Sequence, residues 1–405
     1  MTKKWYSLAD KVWNPSNLAK AAAAVLANQG AAGLDHQSCH QFAEHLGDEL
    51  EALGSALREH RYRPQPVRRV YIPKPGKPHQ RRPLGIPAVR DRVVQQAVRQ
   101  VLEPLWEPTF SDASYGFRPG RRTHDAVNRL YDALTRGYHW VVDADIQDYF
   151  GSIDQTLLVD QIAERVSDGT VLRWIREMLR AGVLEEGRVR STTRGTPQGG
   201  VASPLFGNIY LDALDHAMAA VPDVIYLRYA DDWCALARTE EAARNALSVA
   251  REVVEDHLHL TLHPEKTRIL DARTTAFDFL GFTFFWTDPG DTGRPLFGPK
   301  SAAIERLKTR VRELTRRNRP LNLEMAIADL APVLRGWGRY FTISQKGDYY
   351  RLDAWIRERC RAFVAKRWNR SQQLDREWTN QRLADLGLPS LAAMRRQVLA
   401  QHPRP

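Results

Sequence analysis

Val224-Ile225-Tyr226-Leu227-Arg228-Tyr229-Ala230-Asp231-Asp232-Trp233-Cys234-Ala235-Leu236 places two adjacent carboxylates in the middle of an apolar and aromatic run. A plain β-hairpin buries hydrocarbon along its strands and keeps charge at its ends. Bare and side by side, the two acids repel until one takes up a proton, so a divalent cation is the simplest compensation. A hard cation such as Mg2+ binds through one or two carboxylates with water and phosphate oxygens, which suits phosphoryl transfer. Taken alone, an Asp-Asp pair reads as a surface turn, since turns favour Asp.

A second acidic run changes that balance. Val141-Val142-Asp143-Ala144-Asp145-Ile146-Gln147-Asp148-Tyr149-Phe150 again leads apolar residues into acids and then aromatics. Side chains alternate along a strand, so Asp143 and Asp145 share one face, with Val142 and Ala144 on the other. Acids converging from two strands make a two-metal site, its ions roughly 3.5–4 Å apart and clamping the attacking and leaving oxygens.

Further blocks follow in order along the chain: Ile72-Pro73-Lys74-Pro75-Gly76-Lys77, Arg82-Pro83-Leu84-Gly85-Ile86-Pro87, Tyr115-Gly116-Phe117-Arg118-Pro119-Gly120 and Gly195-Thr196-Pro197-Gln198-Gly199-Gly200-Val201-Ala202-Ser203-Pro204-Leu205. After the Asp-Asp pair come Leu262-His263-Pro264-Glu265-Lys266-Thr267, Phe279-Leu280-Gly281-Phe282 and Arg335-Gly336-Trp337-Gly338-Arg339-Tyr340-Phe341. With these blocks, over roughly residues 15 to 370, the chain resembles the reverse transcriptases encoded by bacterial group II introns and their close relatives.

The resemblance implies an α+β fold of the right-hand polymerase type, with fingers, palm and an all-helical thumb behind a helical N-terminal extension. The expected divisions are 1–60 for the extension, 61–110 for fingers, 111–287 for palm with the remaining fingers elements, 298–370 for the thumb or maturase domain, and 371–405 for a short basic extension. It assigns the metal ligands to Asp145, Asp231 and Asp232, with Ile146 beside them, holding two Mg2+ ions or Mn2+ in their place. Asp143 and Asp148 are weaker candidates. Phe150 matches a steric gate against the ribose 2′-hydroxyl, which argues for DNA synthesis. Lys74 and Arg82 match the grip on the incoming triphosphate, where fixed cations suit phosphate oxygens; Arg81 and Lys77 are substitutes. Gln198 matches a contact to the nucleotide sugar, and the glycines beside it allow close backbone approach or simply build a turn. Tyr229 and Ala230 flank the primer end. Lys266 is placed to protonate the departing pyrophosphate. Leu280 and Gly281 match the primer grip, and Arg335 and Trp337 lie where the thumb clasps template duplex and intron RNA.

Composition fits such partners. The 405 residues are 43% hydrophobic, enough for two or three cooperative units, and carry a net charge of +11. From Lys300 to Pro405 there are 23 Lys and Arg against 10 Asp and Glu, leaving 36 against 38 elsewhere, although Arg61 to Arg92 forms a second basic island. Clustering of this kind marks a surface for phosphate backbones, while a solvated basic face is the bland alternative. The three cysteines, Cys39, Cys234 and Cys360, lack metal-ligand spacing and read as small buried hydrophobes. No apolar run is long enough for a membrane span and no signal-type start is visible, so a soluble, cytoplasmic protein is expected.

Along the chain, residues 1–60 read as helical, Arg68–Pro87 as a hairpin about Pro75-Gly76, and Asp91–Leu105 as a helix. Helix and strand alternate from 110 to 285. The Gly- and Pro-rich stretch Asp288–Pro295 reads as a domain boundary with only helix beyond it, where Ile304, Leu307, Val311 and Leu314 recur at helical spacing as a packing stripe. Of the aromatics Trp337, Tyr340, Phe341, Trp355, Phe363 and Trp368, most are expected to fill a core and some to stack on bases. Intron-encoded relatives often end in an endonuclease with paired Cys and His ligands. After Trp368 this sequence has only His402, so no such nuclease is expected. Expected partners are an RNA template, a DNA primer, dNTPs and a structured intron RNA. Two other readings compete with an intron-encoded polymerase that also helps its RNA splice. One is a host-adopted enzyme in phage defence, CRISPR spacer capture or DNA repair; the other is an RNA-binding splicing cofactor with an idle polymerase site.

Overall fold

The computed structural model of the chain describes residues 4–74, 77–185, 187–197, 199–288, 293–316, 318–345, 347–368 and 374–401, and side chains within these except at 74, 77–80, 366–368, 374 and 375. The described chain forms two compact units: residues 1–126 with 138–270, and residues 127–137 with 271–405.

In the first unit, β1 (Val67–Lys74) and β2 (Lys77–Ile86) form the expected antiparallel hairpin. Prolines on both strands deny them some ladder hydrogen bonds, yet β1 also pairs in parallel with β4 (Val183–Glu185), and β5 (Arg188–Arg190) completes the order β2-β1-β4-β5. Helix Val89–Trp106 follows the hairpin, and helix Pro15–Ala27 of the N-terminal segment packs against it. Pro15 suits a first helical turn, where its missing N–H costs nothing, and the Asn14 side chain accepts from the Ser16 N–H at 3.0 Å.

Asp168 closes two helices at once. One carboxylate oxygen accepts from Thr170 and Val171 at the start of helix Gly169–Arg180, the other from Leu8 and Ala9 at the start of the short helix Ala9–Val12, all at 2.9–3.2 Å. Burial works against the charge, but the four donors outweigh it and hold Asp168 below the usual carboxylate range.

The second sheet runs β6-β7-β3-β8: β3 (Trp140–Asp145), β6 (Val224–Tyr229), β7 (Asp232–Ala237) and β8 (Arg268–Asp271). Register pairs Val142 with Ala235, Ala144 with Trp233 and Asp145 with Asp232. Val142, Ala144, Trp233 and Ala235 therefore share the face that joins the core under helices Ser203–Ala219 and Glu240–Arg251. The acids occupy the opposite face. The period-2 reading of the Asp143 run is the observed one.

The second unit carries β9 (Phe277–Phe279), β10 (Phe282–Trp286) and β11 (Pro295–Pro299) in the order β11-β10-β9. The Gly- and Pro-rich stretch is thus not the expected boundary, and the chain beyond it is not all helix: β11 pairs back onto β10, from Phe282 opposite Pro299 to Trp286 opposite Pro295. Phe282, Phe284 and Phe297 are buried, the Phe297 ring stacked on Phe284 and meeting Phe282 edge to face, which is what commits this short sheet to a core. Residues 289–292 of the stretch lie outside the described residues. The ring of Tyr131, from the segment 127–137, packs on Phe297 at 5.5 Å. Helices Ser301–Leu314, Leu323–Phe341 and Tyr349–Trp368 follow, with Leu307, Val311 and Leu314 buried as the stripe predicts. The stretch after 370 extends this helical core: Leu383, Leu388, Leu391 and Ala392 enter it, and Asp353 accepts from the Leu391 and Ala392 N–H groups at 2.9 and 3.1 Å. No helix among the described residues is long and apolar enough to cross a membrane.

Candidate active site

The turn between β6 and β7 consists of Ala230 and Asp231, because Tyr229 pairs directly with Asp232. Ala230 has φ +60°, a conformation that costs a residue with a Cβ about 1 kcal/mol or more. A buried arginine holds it. Arg228 is 0% exposed; its Nη1 donates to the Ala230 carbonyl at 2.9 Å and to Asn208 Oδ1 at 3.0 Å, Nε and Nη2 grip both oxygens of Asp215 at 2.6 and 2.5 Å, and Nη2 reaches Ser114 Oγ at 2.8 Å. Burial would discharge Arg228, but the buried Asp215 carboxylate reverses that and raises its pKa. Behind the turn, Gly116 leaves no room for a side chain: an added Cβ would lie 2.3 Å from the Ala230 nitrogen. Asn208 Nδ2 donates to the Gly116 carbonyl at 2.9 Å, so the glycine block and the acidic turn are locked together.

Asp145 and Asp231 both line a cleft of about 450 Å3 in the first unit, together with Arg81, Arg82, Phe150 and Lys266. Burial raises the Asp231 pKa and the Asp145 charge raises it further, against the pull of its own N–H, Arg82 and Arg228. Lys266 donates to Asp145 Oδ2. Its turn is tied to the strand's end, where the His263 N–H donates to the Asp145 carbonyl at 2.8 Å. Among the described residues no three His, Cys, Asp or Glu side chains stand as a ready metal-binding group. The three acids expected as one cluster thus share a sheet end without closing on one point, the Lys266 ammonium taking one oxygen of Asp145. Ile146 also lines the cleft, but its side chain is buried, so any metal role falls to its carbonyl oxygen. Asp143 pairs with Arg268 at 3.1 Å, and Asp148 lines the cleft.

Phe150 packs against the Tyr149 ring at 4.9 Å, and Tyr149 Oη donates to the Gly207 carbonyl at 2.5 Å. The Phe150 carbonyl accepts from the Thr196 N–H at 2.8 Å, which draws Gly195 and Thr196 against it. Gly199 has φ +110° and approaches the Gly85 carbonyl, which lies 2.4 Å from where a Cβ would sit. Gln198 itself and the side chain of Lys74 lie outside the described residues.

The remaining predicted residues belong to the second unit. Leu280 and Gly281 form the two-residue turn between β9 and β10 with φ +49° and +81°, and the Leu280 carbonyl accepts from Tyr340 Oη at 2.8 Å. Arg335 is exposed, whereas Trp337 is half-buried with its ring on Phe341 and Tyr349 at 4.7 and 6.2 Å. Trp337 packs against the core shared by helices Leu323–Phe341 and Tyr349–Trp368, as expected of most of these aromatics.

The sequence reading singled out neither the Arg228 network nor Phe117. An arginine in mid-strand between Leu227 and Tyr229 was the available signal for the first, since a lone charge there needs a partner. Phe117 is 47% exposed in the same cleft, has φ +60° and lies 6.5 Å from the Tyr229 ring, centroid to centroid.

A strand-turn-strand acid pair facing a strand-end acid, with arginines across a cleft, defines a nucleotide-polymerising palm. The family described as reverse transcriptase (RNA-dependent DNA polymerase) matches residues 72–284, and the group II intron maturase-specific domain matches residues 304–384. The chain belongs to the reverse transcriptase family, and within it to the group II intron type. Protein YkfC of Escherichia coli (strain K12) is 35% identical over 310 residues, 67% of this chain and 80% of that protein. Group II intron-encoded protein LtrA of Lactococcus lactis subsp. cremoris is 39% identical over 193 residues, 47% of this chain but only 31% of its own length. A telomerase structure from Candida albicans matches with a TM-score of 0.47 at 13% identity, covering 90% of this chain and 66% of that one.

Proposed function

We propose that the chain extends a DNA primer with dNTPs on an RNA template, and that its maturase-specific domain holds a structured intron RNA for splicing and retrohoming. The observation that carries the polymerase reading is the meeting of Asp145 and Asp231 in one cleft with Arg82, Phe150 and Lys266.

The donor set fits divalent metal. Hard carboxylate oxygens of Asp145, Asp231 and Asp232, with the Ile146 carbonyl, suit Mg2+ or Mn2+, and a cation, the Lys266 ammonium, already sits on Asp145. When bound, such ions lower the pKa of the primer 3′-hydroxyl and neutralise charge on the transferred phosphate. The chain's own groups do the rest. Arg82 grips phosphate oxygens of the incoming nucleotide as a planar fork. Phe150 stands where a 2′-hydroxyl would clash. Lys266, released from Asp145, gives its proton to the departing pyrophosphate.

The test is dNTP incorporation on a primed RNA template at low salt with Mg2+. Asp231→Ala should abolish incorporation and leave RNA affinity nearly unchanged. Absence of incorporation by the unaltered chain would sink the polymerase reading.

A further inference from the structure

Phe117 is held in an unusual state. Large apolar side chains exposed at a cleft beside charged groups are disfavoured by hydration, and bulky residues rarely adopt positive φ. Phe117 does both: it is 47% exposed, its φ is +60°, and it lines the cleft of Asp145 and Asp231. The conformation is enforced from each side. Before it, Gly116 is pressed against the Tyr229–Ala230 peptide. After it, Arg118 is buried; its Nε donates to Glu107 Oε1 at 3.1 Å, and its Nη1 donates to the carbonyls of Ser111 and Ser114 at 2.6 and 2.8 Å. Two anchored neighbours leave the ring no retreat into the core, and its one described aromatic neighbour is Tyr229. Backbone strain that is over-determined by its surroundings, at the mouth of a reaction cleft, marks a functional position.

We infer that Phe117 is a stacking platform for a nucleobase at the reaction centre. The flat ring offers what every base can use irrespective of sequence, which suits an enzyme that must accept all four nucleotides. It also explains why the exposed ring stands beside the phosphate-gripping Arg82 and the sugar-facing Phe150: the cleft then presents separate surfaces to phosphate, sugar and base. The inference rests on the polymerase reading above. The base belongs either to the incoming nucleotide or to the primer terminus, and kinetics separate the two.

The experiment is single-nucleotide addition by the full chain to a labelled DNA primer on RNA, with primer–template affinity measured alongside. Phe117→Ala should lower kcat/KM or primer–template affinity roughly ten- to hundredfold, Phe117→Leu should behave like it, and Phe117→Tyr should stay within about twofold of the parent. A rise in KM for the dNTP assigns the ring to the incoming base; weakened primer–template binding assigns it to the primer end. Because the side chain is exposed, the thermal melt of all three variants should match the parent. If Phe117→Ala leaves both quantities within about twofold, or Leu serves as well as Phe, the platform is refuted while parental activity still upholds the polymerase reading. An inactive parent chain overturns both.

Discussion

Arg228 gives the acidic turn its shape through an ion pair from which water is wholly excluded. Removing one partner, as in Arg228→Ala, strands the Asp215 carboxylate in the core and should cost about 3–5 kcal/mol in urea unfolding. Replacing both, Arg228→Met with Asp215→Leu, should recover most of that stability, since well-packed apolar residues often match a buried pair. The double variant still lacks the donor to the Ala230 carbonyl, so its dNTP incorporation should stay depressed even though it folds. Phe150→Ala should raise ribonucleotide incorporation relative to dNTP; unchanged sugar selectivity would remove the gate. These residues differ in how far they could be read from sequence. Asp145 and Asp231 stood out because acids in apolar strands are chemically out of place, and Phe150 through the resemblance to the family's sugar gate. The partners of Arg228 lie at 114, 208 and 215, and nothing local ties those positions to one another.

At the scale of elements, capping and burial set two opposite pH dependences. Asp168 has a lowered pKa, so its stabilisation is complete above its ordinary value of 3.8 and is lost as pH falls through the folded value. Asp168→Ala should therefore cost about 2 kcal/mol at neutral pH, for two helix starts, and the gap to the parent should close in acid. Asp91 behaves inversely. Burial lifts it to about 6, although the Gln65 N–H and Tyr62 hydroxyl donate to it at 2.9 and 2.8 Å. Its folded pKa exceeds the unfolded one, so its contribution is most favourable below 3.8 and fades as pH rises to about 6. Urea unfolding between those limits should show this slope in the parent and lose it in Asp91→Ala. The hairpin of β1 and β2 and the helix after it were legible from turn residues and periodicity. The pairing of β11 with β10 was not, because glycine and proline punctuate a hairpin and a domain linker alike.

For the whole molecule, the division of charge predicts a division of labour. The basic surplus lies after Lys300, whereas the acids of the cleft lie in the first unit. Charge reversal at exposed Arg335 and Arg339 should weaken RNA binding and shallow its dependence on salt by about one unit of slope for each phosphate no longer neutralised. Incorporation on saturating primer–template should change little. The second unit also draws on residues 127–137, seated through Tyr131 on Phe297. On the ribosome, Tyr131 therefore emerges long before its partner ring has been made. At about 5–20 residues per second, the wait lasts roughly 8 to 30 s, during which Tyr131 lacks the Phe297 ring it packs on in the folded chain. A fragment cut at the start of β11 would lack that ring permanently, so the second unit is a module of the folded chain without being a module of its sequence.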